Sequence, residues 1–200
     1  MGRYIALEGS EGCGKSSVAA RLADALGAVL TRETGGTPIG QRIRGILHDT
    51  DVGDLSFRAE ALLAAADRAQ HLHQVVRPAL DAGRHVVSDR SVYSTLAYQG
   101  YGRRLAVDEV RQLNDWAVDG LWPDLVVLLD APADVLGRRM RGRTLDRFER
   151  EDKGFHDRVR DGFRTMAASD TQHWIVVDAT PSLDAVTTAV RAAVRDRLGI

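Results

Sequence analysis

Residues 9–16 read Gly-Ser-Glu-Gly-Cys-Gly-Lys-Ser, which matches G-x-x-x-x-G-K-[ST], a spacing that tightly constrains the structure around it. The glycines let successive backbone N–H groups curl around phosphate oxygens, and a helix starting at the lysine adds its dipole. The motif therefore needs a strand before it and a helix after it. Both are present: Tyr4–Leu7 is a strand-like apolar run, and Val18, Leu22 and Leu26 recur at helical spacing. The candidate phosphate-binding set is Gly9, Ser10, Glu11, Gly12, Cys13, Gly14, Lys15, Ser16 and Ser17. Lys15 reaches the outer phosphates and Ser16 ligates Mg²⁺. Only Lys15 and Lys153 are lysines among the 27 basic residues, so a lysine at this position is a rare choice. Cys13 reads as a partly exposed small residue filling a tight loop.

Four further runs rich in β-branched or apolar residues follow, at Ala28–Leu30, His85–Ser88, Leu125–Leu129 and Trp174–Val177. Most are apolar at consecutive positions, as expected of strands covered on both faces. Helical spacing returns at Leu183, Val186, Val190 and Val194, with Pro181 placed to open that helix. Strands alternating with helices predict an α/β fold, with a five-stranded parallel sheet and helices on both faces. At 200 residues with no linker or repeat, residues 1–200 read as a single domain.

Charge and cysteine content narrow the function. The net charge of -1 gives no field for nucleic acid or an anionic membrane. The apolar run Leu125–Leu129 is far shorter than the roughly 18 residues a membrane span needs. One cysteine cannot form an intramolecular disulfide, and Met1 leads straight into a strand-like run, so the expected location is the cytoplasm.

A glycine loop alone specifies only nucleotide phosphates. The run His85-Val86-Val87-Ser88-Asp89-Arg90 puts a carboxylate and an arginine at a strand's C-terminal end, where open α/β sheets bind ligands. There Asp89 would hold Mg²⁺ through water and Arg90 would offer a fork to a second phosphate, although an ordinary surface ion pair is the alternative on these two residues alone.

The continuation, Asp89-Arg90-Ser91-Val92-Tyr93-Ser94-Thr95-Leu96-Ala97-Tyr98-Gln99-Gly100-Tyr101-Gly102-Arg103, resembles the signature of the thymidylate kinase family, Asp-Arg followed by S-x-x-A-Y-Q-G-x-G-R. Residues 31–40 (Thr-Arg-Glu-Thr-Gly-Gly-Thr-Pro-Ile-Gly), 66–71 (Ala-Asp-Arg-Ala-Gln-His) and 145–149 (Leu-Asp-Arg-Phe-Glu) resemble the same family in the same order. The resemblance implies a P-loop nucleoside monophosphate kinase fold and a homodimer. It implies ATP and Mg²⁺ as cofactors, and transfer of the γ-phosphoryl group of ATP to dTMP, giving dTDP for dTTP synthesis. It also implies that Arg68 bonds the thymine carbonyl edge, Thr95 touches the ring, Arg90 holds the monophosphate and Tyr98 crowds the 2′ position. Ser94 and Gln99 fall in the same substrate-binding segment, Glu11 meets the sugar 3′-hydroxyl, and Arg44 is a weaker phosphate contact. The P-loop lacks an arginine, so catalytic charge beyond Lys15 and Arg90 is expected from a lid at about 137–150, with Arg141 and Arg143 as the candidates. Arg138 and Arg139 read equally well as a solvated helix face. The adenine is expected between the lid arginines and the loop Asp178-Ala179-Thr180-Pro181.

Three departures bear on the base: Ala64 where relatives often carry a stacking aromatic, Thr34 for a proline, and Ser91 for an aromatic or histidine. Either dTMP binds more weakly or another ring substitutes. A kinase for another deoxynucleoside monophosphate, a deoxynucleoside kinase, and a non-catalytic nucleotide-binding module stay open at this point. His71 and His73, two apart on a predicted helix, do not share a face as metal ligands would and read as structural.

Overall fold

Tyr4–Glu8 is buried at every residue because its side chains enter two different cores in turn. Tyr4 joins Val126, Leu128 and Trp174 on one side of the sheet, while Ile5 and Leu7 join Val18, Leu22, Val127, Leu129 and Val190 on the other. Side chains alternate across a strand, so a sheet with two dry faces needs strands that are apolar throughout.

The computed structural model describes residues 2–200. Its strands are β1 (Tyr4–Glu8), β2 (Val29–Arg32), β3 (Val86–Asp89), β4 (Leu125–Asp130) and β5 (Trp174–Asp178). All neighbours pair in parallel, in the order β2-β3-β1-β4-β5, as the sequence predicts. The strands run one or two residues past their predicted ends. Arg32, for example, still pairs with Asp89, so the charged ends of β2 and β3 lie side by side.

The helices are α1 (Lys15–Leu26), α2 (Pro38–His48), α3 (Phe57–His71), α4 (Arg77–Asp81), α5 (Val92–Thr95), α6 (Val107–Val118), α7 (Ala133–Met140), α8 (Lys153–Ser169) and α9 (Leu183–Leu198). π-Helical stretches follow α3 at Leu72–Val76 and α5 at Leu96–Gly102. Helix α9 starts later than its proline suggested. Ser182 caps it by accepting from the Ala185 N–H, so Pro181 lies outside the first turn.

One buried cluster ties three of these elements together. Glu60 of α3 is fully buried and accepts from Gln99 Nε2 (2.7 Å), from Arg103 Nε and Nη2 (3.2 and 3.1 Å) and from Arg147 Nη2 (2.5 Å). Arg103 also bonds Glu151. The stretch between α7 and α8 is thereby fastened to the body at Arg147 and Glu151. Among the described residues no helix is long and apolar enough to cross a membrane.

Candidate active site

Strand β1 delivers the chain to Gly9, whose φ of +142° and close approach to β4 exclude any side chain, since a Cβ would stand 2.4 Å from the Leu129 carbonyl oxygen. The loop then curls inward. Lys15 is buried, and its Nζ donates to the Ser10 carbonyl (3.0 Å) and lies 3.6 Å from Cys13 Sγ. Cys13 is buried as well, contrary to the partial exposure expected, because the curl turns its thiol onto the core beneath the loop. Helix α1 has neither a side-chain cap nor an acidic residue in its first turn, which leaves its N–H groups for an anion.

Beside the loop, Ser16 Oγ donates to Asp89 Oδ2 at 2.5 Å, while Asp89 Oδ1 is buried without a partner. A hydroxyl and an orphaned carboxylate oxygen fit Mg²⁺, which takes few protein ligands and completes its shell with water and phosphate oxygens.

Arg90 follows Asp89 at a φ of +75°, a left-handed conformation that is strained for a residue with a side chain and recurs at functional sites. Its guanidinium donates to Glu11, to Ser94 Oγ and Tyr98 Oη (3.0 Å each) and to the Gly9 carbonyl (3.3 Å). Tyr98 Oη in turn donates to Glu11 Oε1 at 2.9 Å. Burial raises the pKa of Glu11, but the charges of Arg90 and Lys15 and the Tyr98 hydrogen bond outweigh it, holding the group at about 2. The donor that a carboxylate beside phosphates requires is therefore Arg90.

Deeper in, Glu8 is fully buried and accepts from the N–H and hydroxyl groups of both Ser91 and Ser94. Ser91 thus anchors the Asp-Arg segment to the end of β1.

Arg68 lines a pocket together with Ala64, Thr95 and Phe148 and is 2% exposed. It donates to Glu33 (2.9 Å), Asn114, the Ser91 carbonyl (3.2 Å) and Thr95 Oγ1 (2.9 Å). Four of its bonds are spent on the protein itself, so Arg68 is a rigid frame for the pocket. His71 bonds Glu33 and Thr31 from inside the core, the structural role predicted for it. The Glu33–Thr34 peptide, where a proline departs to threonine, is cis.

Two cavities meet at these residues. The first is lined by Leu47, Ala64, Arg68, Ser94, Thr95, Tyr98, Gln99 and Phe148. The second is lined by Gly12, Gly14, Lys15, Ser16, Ser17, Asp89 and Arg143. Glu11, Glu33, Arg44, His48 and Arg90 line both. At that junction burial and the neighbouring charges of Arg32 and Arg90 press the pKa of Arg44 below its ordinary value, against the opposing pull of Asp146 and Glu11.

A sequence profile of the family described as Thymidylate kinase matches residues 7–190. The chain is 47% identical to a thymidylate kinase of Oleidesulfovibrio alaskensis, over 96% of this chain and 97% of that protein. It is 46% identical to one of Nitratidesulfovibrio vulgaris, over 98% and 97%. This chain belongs to the thymidylate kinase family. A crystal structure of thymidylate kinase from Ehrlichia chaffeensis superposes with a TM-score of 0.81 at 29% identity, covering 97% of this chain and 98% of that one.

In this member of the thymidylate kinase family the arginines at 138–143 separate. Arg143 lines the phosphate cleft and donates only to Met140 Sδ at 3.3 Å. Arg141 is exposed and lines neither cavity. Arg139 lines the cleft and donates to the Ala179 and Thr180 carbonyls (2.9 and 3.2 Å), so it joins α7 to the loop after β5, where Thr180 lies. Arg138 pairs with Asp134 on the surface. Gly9, Ser10 and Cys13 shape the loop from behind and do not line the phosphate cleft. Sequence reasoning assigned no role to Arg32, Glu33, Leu47, His48, Asp146 or Phe148, although Arg32, Glu33, Asp146 and Phe148 sit in segments that carry the family resemblance.

The depressed Glu11 value has a testable consequence. Its ordinary pKa is 4.5 and its folded value about 2, so its stabilisation is complete above about pH 4.5 and is lost as pH falls toward 2. Urea midpoints should fall more steeply with acidification over this window in the native chain than in Glu11→Gln, and equal slopes would disprove the coupling.

Proposed function

We propose that the chain transfers the γ-phosphoryl group of ATP to dTMP, giving ADP and dTDP in the service of dTTP synthesis, and that it requires Mg²⁺. The observation that carries this reading is the meeting of a phosphate cleft and a largely apolar pocket at Glu11, Arg44 and Arg90. In the reaction a dTMP phosphate oxygen bonds to the γ-phosphorus of ATP, and the bond to the bridging oxygen breaks with its electron pair leaving on ADP.

The P-loop amides hold the donor phosphates, and Lys15 swings from the Ser10 carbonyl to their outer oxygens. Ser16 and Asp89 would hold Mg²⁺, which supplies positive charge at the phosphates when bound. Arg90 and Arg44 aim the acceptor phosphate, which is already anionic near neutral pH and so needs no general base. Glu11 and Tyr98 face its sugar, while Ser94, Thr95, Gln99 and the remaining donor of Arg68 face its base. Arg143, with Arg139 behind it, supplies charge to the transferring group from a lid at 137–150 within one domain, and positioning and electrostatics carry the catalysis. Arg139 and Thr180 border the adenine.

Exposed Ile46, Leu62 and Trp116 on the neighbouring helices α2, α3 and α6 support a homodimer, which light scattering would register as twice the chain mass. The single buried free thiol of Cys13 accords with a cytoplasmic location.

A coupled ADP-release assay across the deoxynucleoside monophosphates and thymidine tests the reading. The expected result is turnover with dTMP that far exceeds the others and stops when EDTA removes the metal. Preference for another acceptor overturns the substrate, and binding without turnover overturns the activity.

A further inference from the structure

The acceptor pocket receives one side chain from outside the body of the protein. Phe148 lies between the lid arginines and α8, yet it lines the same cavity as Arg68 and Thr95 and is only 8% exposed. The other apolar walls are Leu47, Ala64 and Tyr98. Ala64 offers a methyl group. Tyr98 has the Arg90 guanidinium over its ring at 5.0 Å and its hydroxyl committed to Glu11. Phe148 is the other large ring of the pocket; Arg147 and Arg103 stand 4.6 and 5.8 Å from its centroid, but it carries no polar group committed elsewhere.

It is also held in place. Its ring meets His48 and Tyr98 edge-on at centroid distances of 5.3 and 5.8 Å. Its N–H donates to Asp146 Oδ1 (3.0 Å), whose Oδ2 bonds His48 (2.7 Å), and the next-door Arg147 bonds Glu60 and the Leu47 carbonyl.

We propose that Phe148 is the aromatic wall against which the acceptor's pyrimidine packs, so that a residue at the root of the lid determines base affinity and substitutes for a ring at position 64. The proposal rests on the acceptor reading given above. Arg143 lies five residues upstream in the same connection between α7 and α8, so a seated base also steadies the arginine that faces the phosphates.

Calorimetric titration of dTMP, of 2′-deoxyribose 5-phosphate and of ATP into the native chain and its variants tests this. Phe148→Ala weakens dTMP about ten- to a hundredfold, the range for loss of a base–aromatic contact. It leaves the base-free sugar phosphate and ATP within about twofold. Phe148→Leu weakens dTMP by a smaller factor, and Ala64→Phe in the Phe148→Ala background restores most of the affinity by supplying the ring from the opposite wall. A cooperatively melting Phe148→Ala protein with dTMP affinity within twofold of native overturns the proposal. If that variant fails to melt cooperatively, the same outcome in Phe148→Leu overturns it. Equal weakening of the base-free ligand would mean a merely structural role. A native chain that binds ATP but not dTMP refutes the acceptor reading itself, a result distinct from any of these.

Discussion

Lys15→Ala lowers turnover by on the order of 10³-fold or more while leaving the Kd for dTMP within about threefold. The size follows from the chemistry of the step. Charge spreads over the equatorial oxygens of a transferring phosphoryl group, and single preorganised cations or donors at such sites contribute about 10² to 10⁵ in rate. Lys15 is the one lysine in either cavity, its ammonium is sheltered from water, and its resting partners are the Ser10 carbonyl and Cys13 Sγ, both on the loop it serves. Removing it strands no buried carboxylate, so the fold should persist. The acceptor pocket lies beyond Glu11 and does not include Lys15, so dTMP binding is spared. Steady-state kinetics alongside calorimetry separates these quantities, and a variant turning over within tenfold of native would remove Lys15 from the transition state.

Arg90→Ala lowers kcat/KM for dTMP by about 10³-fold, the effect expected from losing a bidentate phosphate clamp in a partly dry site. Part of that loss has a second origin. Without Arg90, the carboxylate of Glu11 faces the incoming phosphate with its strongest counter-charge gone and Lys15, Tyr98 and His48 left to offset it. Glu11→Gln in the Arg90→Ala background therefore recovers about tenfold, whereas the same change in the native chain impairs the enzyme. A double-mutant cycle on kcat/KM measures this coupling, and additive effects would show that the two side chains act independently.

The parts legible in the sequence are those whose chemistry is local. The glycine loop, Lys15 and Ser16 form one turn, and Asp89 with Arg90 falls at a strand end whose partner strand leads into that loop, so apolar periodicity plus a short motif places them all. The acceptor pocket is different. The family resemblance points Arg68 at a base, but not at the frame that holds it: its guanidinium bonds Glu33, Asn114 and Thr95, residues 35, 46 and 27 positions away. Such a frame arises from packing across elements, and spacing along the chain carries no trace of it. Phe148 was quoted within a resembling segment without a role, because nothing local says that a residue after the lid turns back into a pocket built by α3 and α5. The lid arginines were equivalent as a charge run. They became distinct once Arg139 found the carbonyls after β5 and Arg141 found solvent.

The Glu60 cluster limits how this protein can evolve. One interior carboxylate serves two guanidinium groups and an amide from two separate stretches of chain. Losing either arginine leaves Glu60 with the other, and Arg103 keeps Glu151, but losing Glu60 leaves Arg147 without its carboxylate at about 3–5 kcal/mol, a large share of the 5–15 kcal/mol that keeps a typical domain folded. Position 60 is then the most constrained of the three, and descendants of this chain should keep Glu60 wherever they keep Arg147.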